Sequence, residues 1–399
     1  MLPIKMREKI YWIGVNDFKT TLFEGLWPIH EEGVSYNSYL IDDEKKAIID
    51  LANEFSGNMI LDQIGQILEP SELDYIIMNH IEPDHSGALR VILQQAEKAQ
   101  ILTTPRGQQL IEAFFGLGNR VRVLQDGETL SLGSITLKFV STPNVHWPET
   151  MMTYAVEDKI LFSCDAFGGY GALRGGIYDD QYEDLSFYKR EALRYYVNIV
   201  ATFSRPVLRA IEKLSGVPVE IIAPSHGLVW RHPEEIIGWY QHWANLASEP
   251  GDKGITLLYG SMYGNTERMM NAVAQGIARE GVPINLFKVT ETHVSYILPS
   301  LWTNRAVVVG APTYEGALFP PMANVLEMAG VKRITNKLVA RFGSYGWKGG
   351  GAEKHFEDLI APLKWDLEDT FEFNGGPTVD DLMRGVEFGA AFARRVKNS

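Results

Sequence analysis

The sequence predicts an α/β chain of two domains: a layered domain of mixed strands and helices over residues 1–248, and an open parallel sheet with helices on both faces over 254–399. Three observations predict it. Residues 248–254, Ser-Glu-Pro-Gly-Asp-Lys-Gly, are polar and rich in turn formers and lie between two well-patterned regions. Before them, short β-like runs at 39–49, 73–78, 100–103, 135–140, 152–156 and 160–162 are mixed with helical stretches. After them, strand 255–259, helix 266–280, strands 284–288, 306–309 and 338–343 and a helical tail from Val379 follow one another in the alternation that favours a doubly wound sheet.

Composition narrows the function. With 399 residues, 45% hydrophobic and 22% charged, each domain is long enough to bury a full core. No apolar run approaches the roughly 20 residues that cross a bilayer. The start, MLPIKMREKIYWIG, lacks the apolar stretch of a secretory signal, so a cytoplasmic location without membrane partners is expected. The 37 basic and 50 acidic residues give a formal charge of -13, and no basic run offsets it, which argues against nucleic acid. Cys164 is the single cysteine, which excludes an internal disulfide and a four-thiolate metal site within one chain. Metals would have to be held by His, Asp and Glu.

The sharpest feature of the first domain is Met78-Asn79-His80-Ile81-Glu82-Pro83-Asp84-His85-Ser86-Gly87. An apolar run delivers the chain into a turn that carries four candidate ligands, His80, Glu82, Asp84 and His85. If that turn is extended, residues two apart share a side, so that His80 and Glu82 serve one metal and Asp84 and His85 face another. Further candidates follow later β-like runs: His146 in Pro143-Asn144-Val145-His146-Trp147-Pro148, Asp165 in Phe162-Ser163-Cys164-Asp165, and His226 in Ala223-Pro224-Ser225-His226-Gly227. Alone, His146 or His226 reads as a packed or surface histidine; as members of a cluster they are candidate ligands.

Over about residues 30–245 this pattern resembles the metallo-β-lactamase fold, an αββα sandwich whose His-x-His-x-Asp-His motif stands here as His80-x-Glu82-x-Asp84-His85. Glu82 replaces an imidazole with a hard anionic oxygen, and four His with three carboxylates suit iron better than zinc. A bridging Asp165 would hold two ions roughly 3.5–4 Å apart. Trp147, Phe162 and Phe167 are candidates for the wall of the site.

In the second domain a strand runs straight into Gly260-Ser261-Met262-Tyr263-Gly264-Asn265-Thr266 and a helix start. Backbone N–H groups there, with the hydroxyls of Ser261 and Thr266, can hold a monophosphate without a lysine. A Walker A loop is excluded by the missing Gly-Lys-Ser/Thr, and a dinucleotide fingerprint by the glycine spacing. Two further loops follow hydrophobic strands: Pro312-Thr313-Tyr314, and Ser344-Tyr345-Gly346-Trp347 with Gly349. Tyr314, Tyr345 and Trp347 offer flat faces for an isoalloxazine ring. The three loops, in this order, resemble those of flavodoxin over nearly all of 254–399 and imply FMN.

The two resemblances together, with Glu in the second ligand position, identify the chain as similar to the flavodiiron proteins. That resemblance implies an oxidoreductase that takes electrons from a donor such as rubredoxin through FMN to two irons and reduces dioxygen, nitric oxide or both. It assigns His80, Glu82 and His146 to one iron, Asp84, His85 and His226 to the other, and Asp165 to the bridge. It also implies a head-to-tail homodimer, with a tetramer as a further possibility. Two positions depart from the common pattern, where many members have His: Glu24 in Phe23-Glu24-Gly25 and Tyr170 in Phe167-Gly168-Gly169-Tyr170. The competing readings are a zinc hydrolase with a flavodoxin-like accessory domain, and a non-catalytic electron carrier.

Overall fold

The computed structural model describes residues 2–399 and divides into two compact units, Met1–Ala244 and Asn245–Ser399. In the first, the apolar strands Tyr39–Asp42, Lys46–Ile49, Tyr75–Ile77 and Gln100–Thr103 form the middle of a seven-stranded sheet, flanked by Ile10–Trp12 and Ile4–Lys5 on one side and Val121–Val123 on the other. A five-stranded sheet follows in the order Thr129–Ser131, Thr136–Ser141, Met151–Ala155, Ile160–Cys164, Ile221–Pro224. The sheets face each other across a buried layer: the Tyr39 and Phe162 rings meet at 4.9 Å, Tyr39 Oη–H donates to the Pro224 carbonyl (2.7 Å), and Thr153 Oγ1–H donates to Asn79 Oδ1 (2.7 Å). Every polar group of that layer needs such a partner, because water cannot reach it.

The β-like run 39–49 is two strands, not one. Asp42 pairs with Lys46 across a polar turn, so the run folds back as a hairpin. The ligand-bearing turn also departs from the extended form assumed for it. It is extended only to Glu82, after which Pro83 opens a single helical turn, Pro83–Ser86, where its missing N–H costs nothing.

In the second unit all five main strands are parallel, in the order Ile284–Lys288, Asp252–Tyr259, Asn304–Tyr314, Leu338–Tyr345, Asp366–Asn374. Counted along the chain this is the order 2-1-3-4-5, with its switch point between the first and third strands. Alternate residues Ile255 and Leu257 share a core with Met269, Val273 and Ile277 of the helix Asn265–Arg279 and with Phe388, Phe392 and Val396 of Val379–Asn398. The four-residue spacing on both helices gives each one apolar stripe. The edge strand Asp366–Asn374 alternates Leu367, Phe371 and Phe373 with acidic residues and pairs with Leu338–Tyr345.

Candidate metal and flavin sites

The strand Tyr75–Ile77 ends where Asn79 N–H donates to Asp50 Oδ1 (2.8 Å), and His80 follows immediately. Ser86 Oγ–H donates back to the carbonyls of Ile81 (2.7 Å) and Glu82 (3.0 Å), which fixes the helical turn bearing Asp84 and His85. His146 lies in a loop that Thr150 ties down, its hydroxyl donating to the Thr142 and Trp147 carbonyls at 2.6 and 2.9 Å. Asp165 directly follows Ile160–Cys164, and His226 follows Ile221–Pro224 by one residue. The two loops are joined by Ser225 N–H to the Cys164 carbonyl (2.8 Å).

These seven side chains meet in one buried cluster, and the Asp165 carboxylate divides it. Asp165 Oδ2 faces His80 Nε2 and His146 Nε2, both at 3.4 Å, and Glu82 Oε2 completes that group at 3.1 and 3.0 Å from the same nitrogens. Asp165 Oδ1 faces His85 Nε2 (3.1 Å) and His226 Nε2 (3.6 Å), with Asp84 at 3.5 and 3.2 Å from them. Asp84 Oδ1, His85 Nε2, Asp165 Oδ2 and His226 Nε2 are buried and have no hydrogen-bond partner among the described residues. Donor bonds of about 2.1 Å to one ion place neighbouring donors about 3.0–3.4 Å apart. Each group therefore has the dimensions of a coordination sphere, and the unpartnered lone pairs converge where an ion would sit.

The remaining ring nitrogens are anchored from behind. His80 Nδ1–H donates to Glu149 Oε1 (2.6 Å) and His226 Nδ1–H to the Ser35 carbonyl (2.8 Å), which turns both Nε2 lone pairs inward. Tyr195 Oη–H donates to Asp165 Oδ1 at 2.8 Å. Burial opposes charge on His80, but its bonds to Glu149 and Glu82 and the charge of Asp165 hold its pKa well above the ordinary value. Burial likewise opposes charge on Asp165, and His85, His80 and His146 overcome it and hold the carboxyl well below the usual range. Asp165 thus carries its negative charge at the centre of the cluster.

Trp147 stands edge-on to His80 at 5.1 Å, whereas Phe162 and Phe167 pack into the core against Tyr39 and Tyr240 (4.9 and 5.1 Å). The aromatic wall on the His226 side is made instead by Phe23 (5.5 Å), Tyr36 (5.6 Å) and Tyr195 (5.8 Å). Sequence reasoning missed Glu149. Its only signal is a carboxylate three residues after His146 at the mouth of an apolar strand.

In the second unit the turn Ser261–Gly264 is closed by Gly264 N–H to Ser261 Oγ (3.0 Å), and Gly264, at φ +86, precedes the helix whose first N–H groups lack intrahelical partners. Met262 and Tyr263 stand exposed in that turn, and Asn265 and Thr266 open the helix. Thr266 Oγ1 lies 3.2 Å from Ser344 Oγ, which brings the first and third loops together. Pro312, Thr313 and Tyr314 belong to the end of the long strand Asn304–Tyr314, not to a free loop, because Thr313 and Tyr314 pair with Leu318 and Ala317. Thr313, Gly346, Trp347 and Gly349 line one cavity of about 160 Å³, and Thr313 Oγ1 is buried without a partner among the described residues. Tyr345 ends the strand Leu338–Tyr345. Asn374, unnoticed in the sequence, shapes this edge by donating to the Gly346 carbonyl (2.7 Å). Trp347 and Tyr263 are 94% and 88% exposed, an arrangement that leaves flat faces free for a planar ring.

Known proteins show the same two-part pattern. The family described as ODP family beta lactamase matches residues 34–227, and the one described as Flavodoxin matches 257–389. The chain is 33% identical to a protein named nitric oxide reductase from Moorella thermoacetica, over 99% of both chains. It is 34% identical to the anaerobic nitric oxide reductase flavorubredoxin of Escherichia coli, over 99% of this chain and 82% of that one. Among solved structures, rubredoxin oxygen:oxidoreductase from Desulfovibrio gigas superposes with a TM-score of 0.92 at 29% identity over 99% of each chain. The flavodiiron protein from Giardia intestinalis gives 0.92 at 29%, over 100% of this chain and 97% of that one.

Proposed function

The chain belongs to the flavodiiron protein family, and we propose that it is an oxidoreductase that passes electrons from a protein donor through FMN to two irons, where dioxygen is reduced to water, nitric oxide to nitrous oxide, or both. The observation that carries this reading is the sharing of one carboxylate, Asp165, between two sets of imidazole and carboxylate donors. His80, Glu82 and His146 would hold one ion, Asp84, His85 and His226 the other, with one Asp165 oxygen on each. Four imidazoles and three hard oxygen donors suit iron, and seven protein ligands leave positions open for a small gas. When bound, two ferrous ions and reduced FMN supply up to four electrons, enough to take dioxygen to two waters, whereas joining two nitric oxide molecules into nitrous oxide and water needs two.

The protein's own part is positioning and exclusion. Glu149 and the Ser35 carbonyl hold His80 and His226 with the correct nitrogen inward, and Tyr195 pins the shared carboxylate. Phe23, Tyr36 and Trp147 keep the pocket dry on the sides they face. For the flavin, Ser261 to Thr266 would cradle the phosphate, and Pro312, Thr313, Tyr314, Ser344, Tyr345, Gly346, Trp347 and Gly349 would take the ring and its polar edge. A one-electron protein of the rubredoxin type is the proposed donor; the described chain's only cysteine, Cys164, is buried. A cytoplasmic location agrees with the absence, among the described residues, of any helix long and apolar enough to cross a membrane. A head-to-tail homodimer, able to pair into a tetramer, is the proposed assembly.

The test is amperometric. Protein loaded with iron and FMN and fed by reduced rubredoxin should consume dioxygen or nitric oxide without releasing peroxide. No uptake at full iron and flavin content would refute the reading.

A further inference from the structure

We propose that Glu24 is a further metal ligand, a hinged carboxylate that closes the outer face of the ion held by His80, Glu82 and His146; the proposal rests on the two-metal reading above. Glu24, Glu82 and His146 each present a donor atom, and these atoms lie within 4.8 Å of one another. The same pocket contains buried donors without partners, Asp165 Oδ2 among them, which point to an ion independently of Glu24.

The backbone brings Glu24 there deliberately. The short strands Leu22–Phe23 and Trp27–Pro28 pair as a hairpin whose tip holds Glu24 at φ +51 and Gly25 at φ +68. A glutamate in the left-handed region carries a conformational cost that the surroundings must over-determine. They do so through Phe23, buried between Tyr170 (5.4 Å), Tyr195 (6.1 Å) and His226 (5.5 Å), which fastens the hairpin to the wall of the metal pocket.

Trp27 Nε1–H donates to Glu24 Oε2 at 3.2 Å, while Oε1 has no partner among the described residues. The donors of the inner group stand 3.0–3.4 Å apart, and a Glu24 donor lies within 4.8 Å of those of Glu82 and His146. Glu24 is exposed at the hairpin tip, so the proposed inward turn requires only rotation about its side-chain torsions. Turned inward, Glu24 gives this ion one carboxylate more than its neighbour has; turned outward, it rests on Trp27 and leaves that face open.

The experiment uses the full chain stripped of metal and titrated with zinc alone against a chromophoric chelator, for wild type, Glu24→Gln and Glu24→His. The wild type should bind two zinc ions. Glu24→Gln should weaken one of them by about 10-fold or more and leave the other within about twofold. Glu24→His, which restores a donor, should recover most of the loss. Unchanged affinities in Glu24→Gln would overturn the proposal. So would a small, equal weakening of both ions that shrinks with added salt, since a distant charge acts that way. A wild type that binds fewer than two ions would overturn the two-metal reading and this proposal with it.

Discussion

Replacing Glu149 tests whether His80 is held in one tautomer for the sake of a metal. Glu149 is 1% exposed, and its Oε1 accepts from His80 Nδ1–H (2.6 Å) and Ile81 N–H (3.2 Å). Glu149→Gln keeps an oxygen for both donors but removes the charge and puts an amide N–H₂ where the buried Oε2 has no partner. Glu149→Ala leaves both donors without an acceptor, each worth about 1–3 kcal/mol when buried. Carboxylates that support a metal-binding imidazole contribute about 10- to 100-fold in metal affinity. The glutamine variant should therefore bind the His80-side ion about 10-fold more weakly, about 1.4 kcal/mol, and the alanine variant about 100-fold more weakly, about 2.8 kcal/mol. Chelator competition with zinc, followed by iron analysis of the reconstituted protein, reads both, and the ion between His85 and His226 should be spared. An alanine variant that holds both ions at wild-type affinity, or that loses the His85-side ion first, would refute the reasoning.

Three other perturbations address the flavin-binding unit. Trp347→Ala removes a 94% exposed indole face and should weaken FMN binding about 2- to 10-fold, from the about 0.5–1.5 kcal/mol of an aromatic stack; flavin fluorescence quenching measures it, and an unchanged Kd would remove Trp347 from the ring site. At Gly276 an added Cβ would stand 2.0 Å from the Val386 carbonyl oxygen, where two helices touch through their backbones. Gly276→Ala should lower the stability of this unit by about 1–3 kcal/mol in urea unfolding while metal content stays intact, and an unchanged midpoint would contradict the close packing. Burial pushes Lys337 down from 10.5 to about 7, with Asp252 opposing, although its ammonium donates to the carbonyls of Trp302 (2.9 Å) and Asn304 (2.6 Å). The folded pKa lies below the unfolded one, so between about 7 and 10.5 the unfolded chain binds the extra proton and stability rises with pH across that window. Lys337→Met should flatten the rise between about pH 7 and 9.5, and an identical slope in the variant would assign the dependence elsewhere.

Much of the site could be read in the sequence because its chemistry is local. Four proposed ligands fall within six residues, His80 to His85, and the other three each follow a β-like run, so the linear order already carries the candidate constellation. Partners that act through space were invisible. Glu149 reaches His80 across 69 positions, and Tyr195 reaches Asp165 from a helix 30 residues on; neither has a spacing that marks it. The parallel strands Ile255 to Tyr259 and Ile284–Lys288 announced themselves by composition, being flanked by turn formers and helices. Asp366–Asn374 did not, because the alternation of Leu367, Phe371 and Phe373 is diluted by the acidic residues at 366, 368, 369 and 372. The run 39–49 misled for a different reason: its two apolar ends signal strand, and the charged stretch Asp42 to Lys46 between them marks the turn of a hairpin. The helical turn Pro83–Ser86 hid behind a proline that reads as a break but sits at a first helical position.

The central claim is that one chain, with two irons and one FMN, gathers enough electrons to finish a gas reduction before anything partly reduced escapes. Anaerobic titration of the fully reduced holoprotein with dissolved dioxygen, with peroxide assayed at the end point, tests it most directly. One dioxygen per chain should be taken up, with complete reoxidation of flavin and iron and no peroxide. Peroxide released at one molecule per two electrons, or a flavin that reoxidises only at the slow rate of the iron-free protein, would contradict it.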